Sequence, residues 1–285
     1  YQHPMYFGTK FANQYVPILR KKGIKFIALI HDLESLRNLT ASTKSDEKAY
    51  QFGDVVLLKN FDYIIAHNKK MKNYLVSKGV AGGKIVCLEI FDYLCSTELC
   101  SPHLQNEIVI AGNLDKKKSG YIYELAKKNP EIKIAVFGAG YTAGQEISNI
   151  SYKGSFSPEE VTGKLEGSFG IVWDGPSING CMGKTGEYLK YNNPHKTSMY
   201  LTAGIPVIVW KEAAISEFII NSNVGIVVDN LDDMSEKLKK ITNEQYSLMV
   251  KNAKNISNKL RTGYYFKKAV DTVIQLDEGL KENEI

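Results

Sequence analysis

At 285 residues and 31.9 kDa, the chain has room for about two domains of roughly 150 residues each. Hydrophobic residues make up 44% and charged residues 24%, which excludes wholesale disorder and the collagen-like, coiled-coil and low-complexity classes. The 36 basic against 31 acidic side chains leave a net charge of +5 and a pI near 8.7, too mild for a dedicated nucleic-acid surface and suited to anionic small molecules or acidic lipid headgroups.

The predicted elements alternate. Phe7, Phe11, Tyr15, Ile18 and Leu19 recur at helical spacing, and Gly23 closes the pattern before an apolar strand over 24–30. A helix over 48–59, a strand over 63–66, a helix over 68–77 and a strand over 84–90 follow. Polar residues without periodicity then cluster at 96–105, around Pro102, and form the best linker candidate. Beyond it come strand 107–111, helix 120–128, strand 132–137, a short strand within 147–152, helix 158–166, strand 169–173, helix 194–203, strand 206–210, helix 216–221 and strand 225–228, with three helical stretches to finish. Apolar strands separated by helices predict an α/β protein with parallel sheets covered on both faces. In such sheets ligands bind beyond the carboxyl ends of the strands, so the segments after strands matter most, and with two such domains the cleft between them is the expected site.

No apolar run approaches the roughly eighteen residues that cross a bilayer. Cys87, Cys95, Cys100 and Cys181 form no C-x-x-C pair and no dense scaffold, so a reducing cytoplasm is expected. The chain opens on Tyr1-Gln2-His3-Pro4 without an initiator Met or signal peptide, and its natural start is expected upstream.

Three regions carry chemistry. Gly138-Ala139-Gly140-Tyr141-Thr142-Ala143 matches the dinucleotide pattern G-x-G-x-x-A, but the next apolar segment follows too closely for a crossover helix, so NAD is rejected and the glycines are read as a tight turn or a close backbone approach. Between Trp173 and Pro194 runs a connection of about twenty residues, far longer than the usual two to six. It ends in Tyr191-Asn192-Asn193-Pro194-His195-Lys196, where Asn193 reads as an N-cap and Pro194 as the first helical residue. The positive end of that helix, with Lys196 in its first turn, suits a phosphate; a capped surface helix with an unrelated lysine reads the same locally. His31 and Asp32 directly follow an apolar strand and are the only adjacent imidazole and carboxylate of the first half. Asp32 is the preferred base with His31 orienting donor or acceptor, against the plainer reading that both cap a loop. There is no D-x-D motif and no Cys/His pair at ligand spacing, so metal-free chemistry is expected, with lysine, histidine and helix dipoles neutralising any diphosphate.

The segment 188–209 resembles the nucleotide-sugar-binding segment of GT-B glycosyltransferases, and more closely that of the glucosyltransferase 3-like and galactofuranosyltransferase-like enzymes that build bacterial surface glycans. Ala111-Gly112-Asn113-Leu114, the stretch 152–160 and Ile30-His31-Asp32-Leu33 fall where such enzymes carry similar segments. The resemblance implies two Rossmann-like domains, an acceptor-side one over 1–100 and a nucleotide-sugar-binding one over 101–262, with a terminal helix over 263–285 crossing back to the first. It implies a UDP-sugar site made by Gly112, Asn113, Gly138, Gly154, Asp174, Gly175, Tyr191, Asn193, His195 and Lys196, with His31 and Asp32 catalytic. The ribose-binding Glu that broader GT-B families place three positions after the lysine is Met199 here, and the family's first strand and glycine loop are expected upstream of Tyr1.

The implied activity is metal-independent transfer of glucose or galactofuranose from a UDP-sugar, without a further cofactor, to a glycan on a protein or lipid carrier. A cytoplasmic place, at the inner membrane face if the acceptor is lipid-linked, goes with it. So do a peripheral membrane association or a homo-oligomer, and no nucleic-acid partner. The rival readings are a non-catalytic glycan- or partner-binding subunit, opposed by Asn193, His195 and Lys196, and a sugar-nucleotide epimerase of GT-B shape, which would need a carboxylate pair the sequence does not show.

Overall fold

Strands dictate this architecture, and most are short runs of buried apolar residues. The structure, a computed structural model, describes residues 1–4, 14–38, 52–96, 102–142 and 147–282, the side chains of 233 and 280–282 excepted. The chain divides into two compact units, Tyr1–Ile90 with Tyr265–Ile285, and Phe91–Tyr264.

In the first unit β1 (Gln2–His3), α1 (Val16–Arg20), β2 (Ile27–Ile30), α2 (Glu34–Arg37), β3 (Tyr63–Ala66), α3 (Lys69–Ser77) and β4 (Ile85–Cys87) follow one another. The four strands are parallel and lie in chain order. All of β3 is buried, as expected of a strand covered on both faces. α3 begins where the Asn68 side chain accepts the Met71 amide at 3.0 Å, and it buries Met71 and Leu75, one turn apart. Two expectations need correcting. β1, pairing Gln2 with Leu29 and His3 with Ile30, is a strand the sequence reading did not assign, being too short to show a pattern. The predicted first helix buries only Val16 within α1, leaving Tyr15 and Ile18 exposed; Phe7 and Phe11 lie outside the described residues. Of the helix expected over 48–59, the described part is a π-helical turn, Phe52–Val56, running into Leu57 and Leu58.

The second unit continues with β5 (Glu107–Ala111), α4 (Lys116–Ser119), α5 (Tyr121–Lys128), β6 (Lys133–Phe137), β7 (Ile150–Tyr152), α6 (Pro158–Val161) and β8 (Phe169–Val172). Then come α7 (Gly183–Tyr188), α8 (His195–Thr202), β9 (Val207–Trp210), α9 (Ser216–Ser222), β10 (Gly225–Val228), α10 (Asp232–Lys239) and α11 (Asn243–Leu260). The six parallel strands lie in the order β10-β9-β8-β5-β6-β7. Counted within this unit that is 3-2-1-4-5-6 read from the β7 edge, the doubly wound Rossmann order, and the winding reverses between β5 and β8. A crevice opens at such a reversal because the connections leave in opposite directions.

The division between units falls before Phe91 rather than in the expected linker at 96–105. Hydrogen bonds explain the difference: Ser198 Oγ donates to the Phe91 carbonyl at 2.7 Å, the Tyr93 amide to Leu260 O at 3.2 Å and Arg261 Nε to Cys95 O at 2.8 Å, so 91–95 is bound into the second unit. The C-terminal helix Tyr264–Glu282 buries Tyr265, Ala269 and Val273, four residues apart. This stripe is narrow, for Tyr264, Phe266 and Ile274 are exposed.

Glycine is obligatory where strand ends crowd. At Gly138, φ is +135° and an added Cβ would stand 1.8 Å from the Gly112 carbonyl oxygen, whereas at Gly183, φ +75°, nothing lies within 4 Å. Gly183→Ala should therefore cost only the left-handed backbone penalty of about 1–2 kcal/mol. Gly138→Ala adds a backbone clash and should cost at least about 3 kcal/mol or prevent folding, which urea unfolding of the two variants will measure.

Candidate active site

The carboxyl ends of β5, β6 and β7 place Gly112 and Asn113, Gly138, and Gly154 side by side. The Gly112 amide donates to Phe137 O at 2.9 Å, Gly138 to Gly154 O at 2.8 Å and Leu114 to Ala139 O at 2.8 Å, so each turn is laced to the next. Gly112 and Asn113 are exposed. The Asn113 side chain accepts the Asp115 amide at 2.9 Å, while Asp115 caps α4 by accepting from Lys117 at 2.9 Å.

Across the reversal, β8 is followed by buried Trp173 and Asp174, the latter 6% exposed. Lys196 Nζ reaches Asp174 Oδ1 at 2.5 Å and the Trp173 carbonyl at 2.9 Å, and Lys118 Nζ stands 3.7 Å from Asp174 Oδ2. A carboxylate this deep would be costly alone, and the lysine offsets much of that cost. Two ammonium groups against one carboxylate leave the crevice positive, beside the open backbone at Gly112 and Asn113. Gly175, at φ +122°, donates its amide to Lys118 O at 2.6 Å, and its missing Cβ makes room for the Met182 backbone at 2.6 Å. The Lys196 side chain is only 15% exposed, because its ion-pair partner draws it inward.

α8 carries Lys196 into this position. Its N-cap is Pro194, with extended ψ of 133°, so the helix starts at His195, one residue later than predicted. Asn193 is buried, not capping. His195 is exposed and its ring stacks on Phe91 with centroids 4.5 Å apart. Tyr200, two turns into α8's buried face, lies flat over Gly170, where a Cβ would meet its ring at 2.3 Å, and its hydroxyl accepts the Ala111 amide at 2.6 Å. One tyrosine thus fixes the helix against the last residue of β5 and the middle of β8. Half-buried Tyr191 follows α7. That helix lies inside the segment read as a long loop, and its two glycines hid it by their low helix propensity. Gly186 is required there, for a Cβ would meet the Cys181 carbonyl carbon at 2.4 Å.

In the first unit His31 and Asp32 follow β2. Asp32 Oδ2 is engaged by Arg37 Nη1 at 2.5 Å, and Arg37 Nη2 also holds Glu34 Oε1 at 2.5 Å. The His31 Nε2 atom contacts Gln2 Oε1. Burial pushes the His31 imidazole below its usual range, opposed by Asp32 and reinforced by His3. Sequence reasoning missed a second couple here. His3 Nε2 lies 2.8 Å from Asp54 Oδ1, with both residues buried, and Asp54 Oδ2 accepts the Ser35 amide at 2.6 Å. Fifty-one residues separate the partners, so no local pattern could have shown the pair.

Known proteins decide what the two units are. The model of the glucosyltransferase 3-like N-terminal domain matches residues 1–90 and that of the C-terminal domain residues 108–273. The chain belongs to the glucosyltransferase 3-like family. Within reach of that family it is 37% identical over 257 residues to the beta-1,6-galactofuranosyltransferase WbbI of Escherichia coli (strain K12), covering 88% of this chain and 71% of that one. It is 27% identical over 282 residues to glucosyltransferase 3 of Streptococcus gordonii, covering 97% and 79%. Among solved structures, Anabaena HepE in complex with UDP-glucose matches with a TM-score of 0.56 at 13% identity, covering 96% of this chain and 77% of that one. The α/β fold is that of GT-B glycosyltransferases, as the resemblance implied.

Of the donor-side residues expected, Gly112, Asn113, Gly138, Gly154, Asp174, Gly175 and Lys196 all stand at the carboxyl edge of the six-stranded sheet, and His195 opens the helix that delivers Lys196. The Asp174–Lys196 pair gives a stability test. Lys196→Met leaves a buried carboxylate with only the longer Lys118 contact and should cost about 3 kcal/mol. Adding Asp174→Asn should restore part of that loss, so a double-mutant cycle by urea unfolding is expected to give a coupling of about 1–3 kcal/mol.

Proposed function

We propose that the protein transfers a hexose, glucose or galactofuranose, from a UDP-sugar to a glycan acceptor borne by a protein or lipid carrier. The names of its relatives, a galactofuranosyltransferase and a glucosyltransferase, and the UDP-glucose bound by HepE support the donor class. The observation that carries the reading is the cation held at the sheet reversal, Lys196 on Asp174, next to the exposed turn at Gly112 and Asn113.

The chemistry follows from that placement. An acceptor hydroxyl attacks the anomeric carbon, the bond from that carbon to the β-phosphate oxygen breaks, and its electrons leave with the diphosphate. Lys196, Lys118 and the positive end of α8 stabilise the charge that develops on the departing group. They are fixed before substrate arrives, so little reorganisation is needed in the transition state. In this reading no divalent ion is required. Asp32, the base expected from sequence, has one oxygen committed to the Arg37 guanidinium, whereas His31, whose Nε2 contacts Gln2 Oε1, has its imidazole pushed below the usual range by burial, which favours the form that accepts a proton; we therefore assign the hydroxyl proton to His31 and the positioning role to Asp32.

Among the described residues no helix is long and apolar enough to cross a membrane.

Incubation with a panel of UDP-hexoses, with and without glycan acceptors, should release UDP and yield a glycosylated product, and excess EDTA should leave the rate unchanged. Release of UDP from none of them, or a rate abolished by EDTA and restored by Mn²⁺, would contradict this function or its metal-free form. The neutral imidazole is the active form and burial lowers its pKa, so the rate should fall only on an acid limb lying below the ordinary imidazole range, and His31→Asn should remove that limb while lowering kcat by about 10² or more.

A further inference from the structure

The buried couple of the first unit costs more than a core contact needs. His3 and Asp54 are both 2% exposed, and apolar side chains of similar size would hold β1 as well without burying an ionisable pair. Among the described residues His3 Nδ1 is also buried without a hydrogen-bond partner, a second cost that a structural contact alone does not explain. What the couple touches is the His31–Asp32 turn. The His3 carbonyl accepts the His31 amide at 2.7 Å and the Asp32 amide at 3.4 Å. Asp54 takes His3 on one oxygen and the Ser35 amide on the other, and Ser35 lies in α2, the helix whose Arg37 engages Asp32. One carboxylate thereby fixes the turn from both sides. β1 supplies Gln2 as well: with its Oε1 against His31 Nε2, the neutral ring carries its hydrogen on Nε2 and its lone pair on Nδ1.

We propose that His3 and Asp54 are positioning residues for the transfer, holding the His31 imidazole, through the shared His3 carbonyl and α2, where it takes the proton of the acceptor hydroxyl. The use of His31 rests on the transferase reading above, whereas the couple's hold on it does not. Two effects act together. The backbone bonds to His3 set where the ring stands, and the His3 side chain opposes its protonation, in the same direction as burial and against Asp32. The other charged groups around the turn are matched to one another: Arg37 to Asp32 and Glu34, and Asp54 to His3. His67, buried after β3, donates Nε2 to the Ile30 carbonyl at 3.1 Å and so secures the end of β2. His3 therefore acts both on the position of the ring and on its readiness to accept a proton, and a substitution that keeps its hydrogen bond separates the two.

NMR titration of the His31 ring in the isotope-labelled full chain, its signals assigned by their loss in His31→Asn, tests the proposal beside the kinetics of transfer. His3→Gln keeps an amide hydrogen for Asp54 but removes the titrating ring. In that variant the His31 midpoint should rise by about half a pH unit or more, and the acid limb of the rate should rise with it while the KM for the UDP-sugar stays as in the wild type. Asp54→Asn offers one accepting oxygen in place of two, so it releases β1 or α2 and should lower kcat by about tenfold or more at unchanged KM. The double variant should be no worse than Asp54→Asn alone, as expected of residues that act as a unit. Thermal midpoints recorded for each variant separate loss of fold from loss of position. An unmoved His31 midpoint in folded His3→Gln, wild-type kcat in folded Asp54→Asn, or collapse of both variants makes the couple structural and overturns the proposal. A raised His31 midpoint in a protein that turns over no UDP-sugar would uphold the hold on His31 and refute the transferase reading instead.

Discussion

A lysine held under a carboxylate at the reversal of a parallel sheet is the interaction on which the donor side depends. Left free, the Lys196 side chain would sample many rotamers and would have to be ordered by each substrate in turn. Asp174 and the Trp173 carbonyl hold its ammonium in one place. The helix that carries it is fixed through Tyr200, whose ring occupies the space left by Gly170 and whose hydroxyl takes the last amide of β5. Strand, helix and cation are thereby set relative to the turn at Gly112 before any ligand binds, the arrangement that electrostatic stabilisation of a leaving diphosphate requires.

The pair also carries a tension that the protein resolves by counting charges. A single carboxylate matched to a single lysine would leave the crevice neutral, with no net attraction for a diphosphate. With Lys118 on the other carboxylate oxygen, at 3.7 Å, the site keeps a positive excess while every buried charge has a partner. The neighbouring Lys116 and Lys117 lie exposed on the same short helix, extending that field outward toward solvent.

Much of the fold was legible because buried parallel strands are written as apolar runs: 63–66, 107–111 and 225–228 coincide with strands to the residue. What was hidden depended on contacts between distant residues. α7 contains Gly183 and Gly186 and looked like a loop, since the packing that demands Gly186 comes from Cys181. The partner of Lys196 lies 22 residues away, and nothing local distinguishes a lysine drawn inward from one in solvent. The boundary at Phe91 is set by hydrogen bonds from α8 and α11, not by composition. In the first unit the adjacency of His31 and Asp32 was visible, but the guanidinium that occupies Asp32 and the buried His3–Asp54 couple were not. A diphosphate imposes a common charge problem on every donor site, so its residue types are recognisable; an acceptor hydroxyl imposes only a weak one.

The most direct measurement is calorimetric titration of UDP and of uridine into the wild-type protein and into Lys196→Met, with the thermal midpoint recorded for each. Uridine lacks the diphosphate and reports whether the rest of the site has survived the substitution. If Lys196 is the preset phosphate cation, the variant loses about tenfold or more in UDP affinity, the 1.5–3 kcal/mol of a charge-assisted hydrogen bond, while uridine affinity stays as in the wild type. UDP affinity equal to that of the wild type in a folded Lys196→Met protein would show that the diphosphate binds elsewhere.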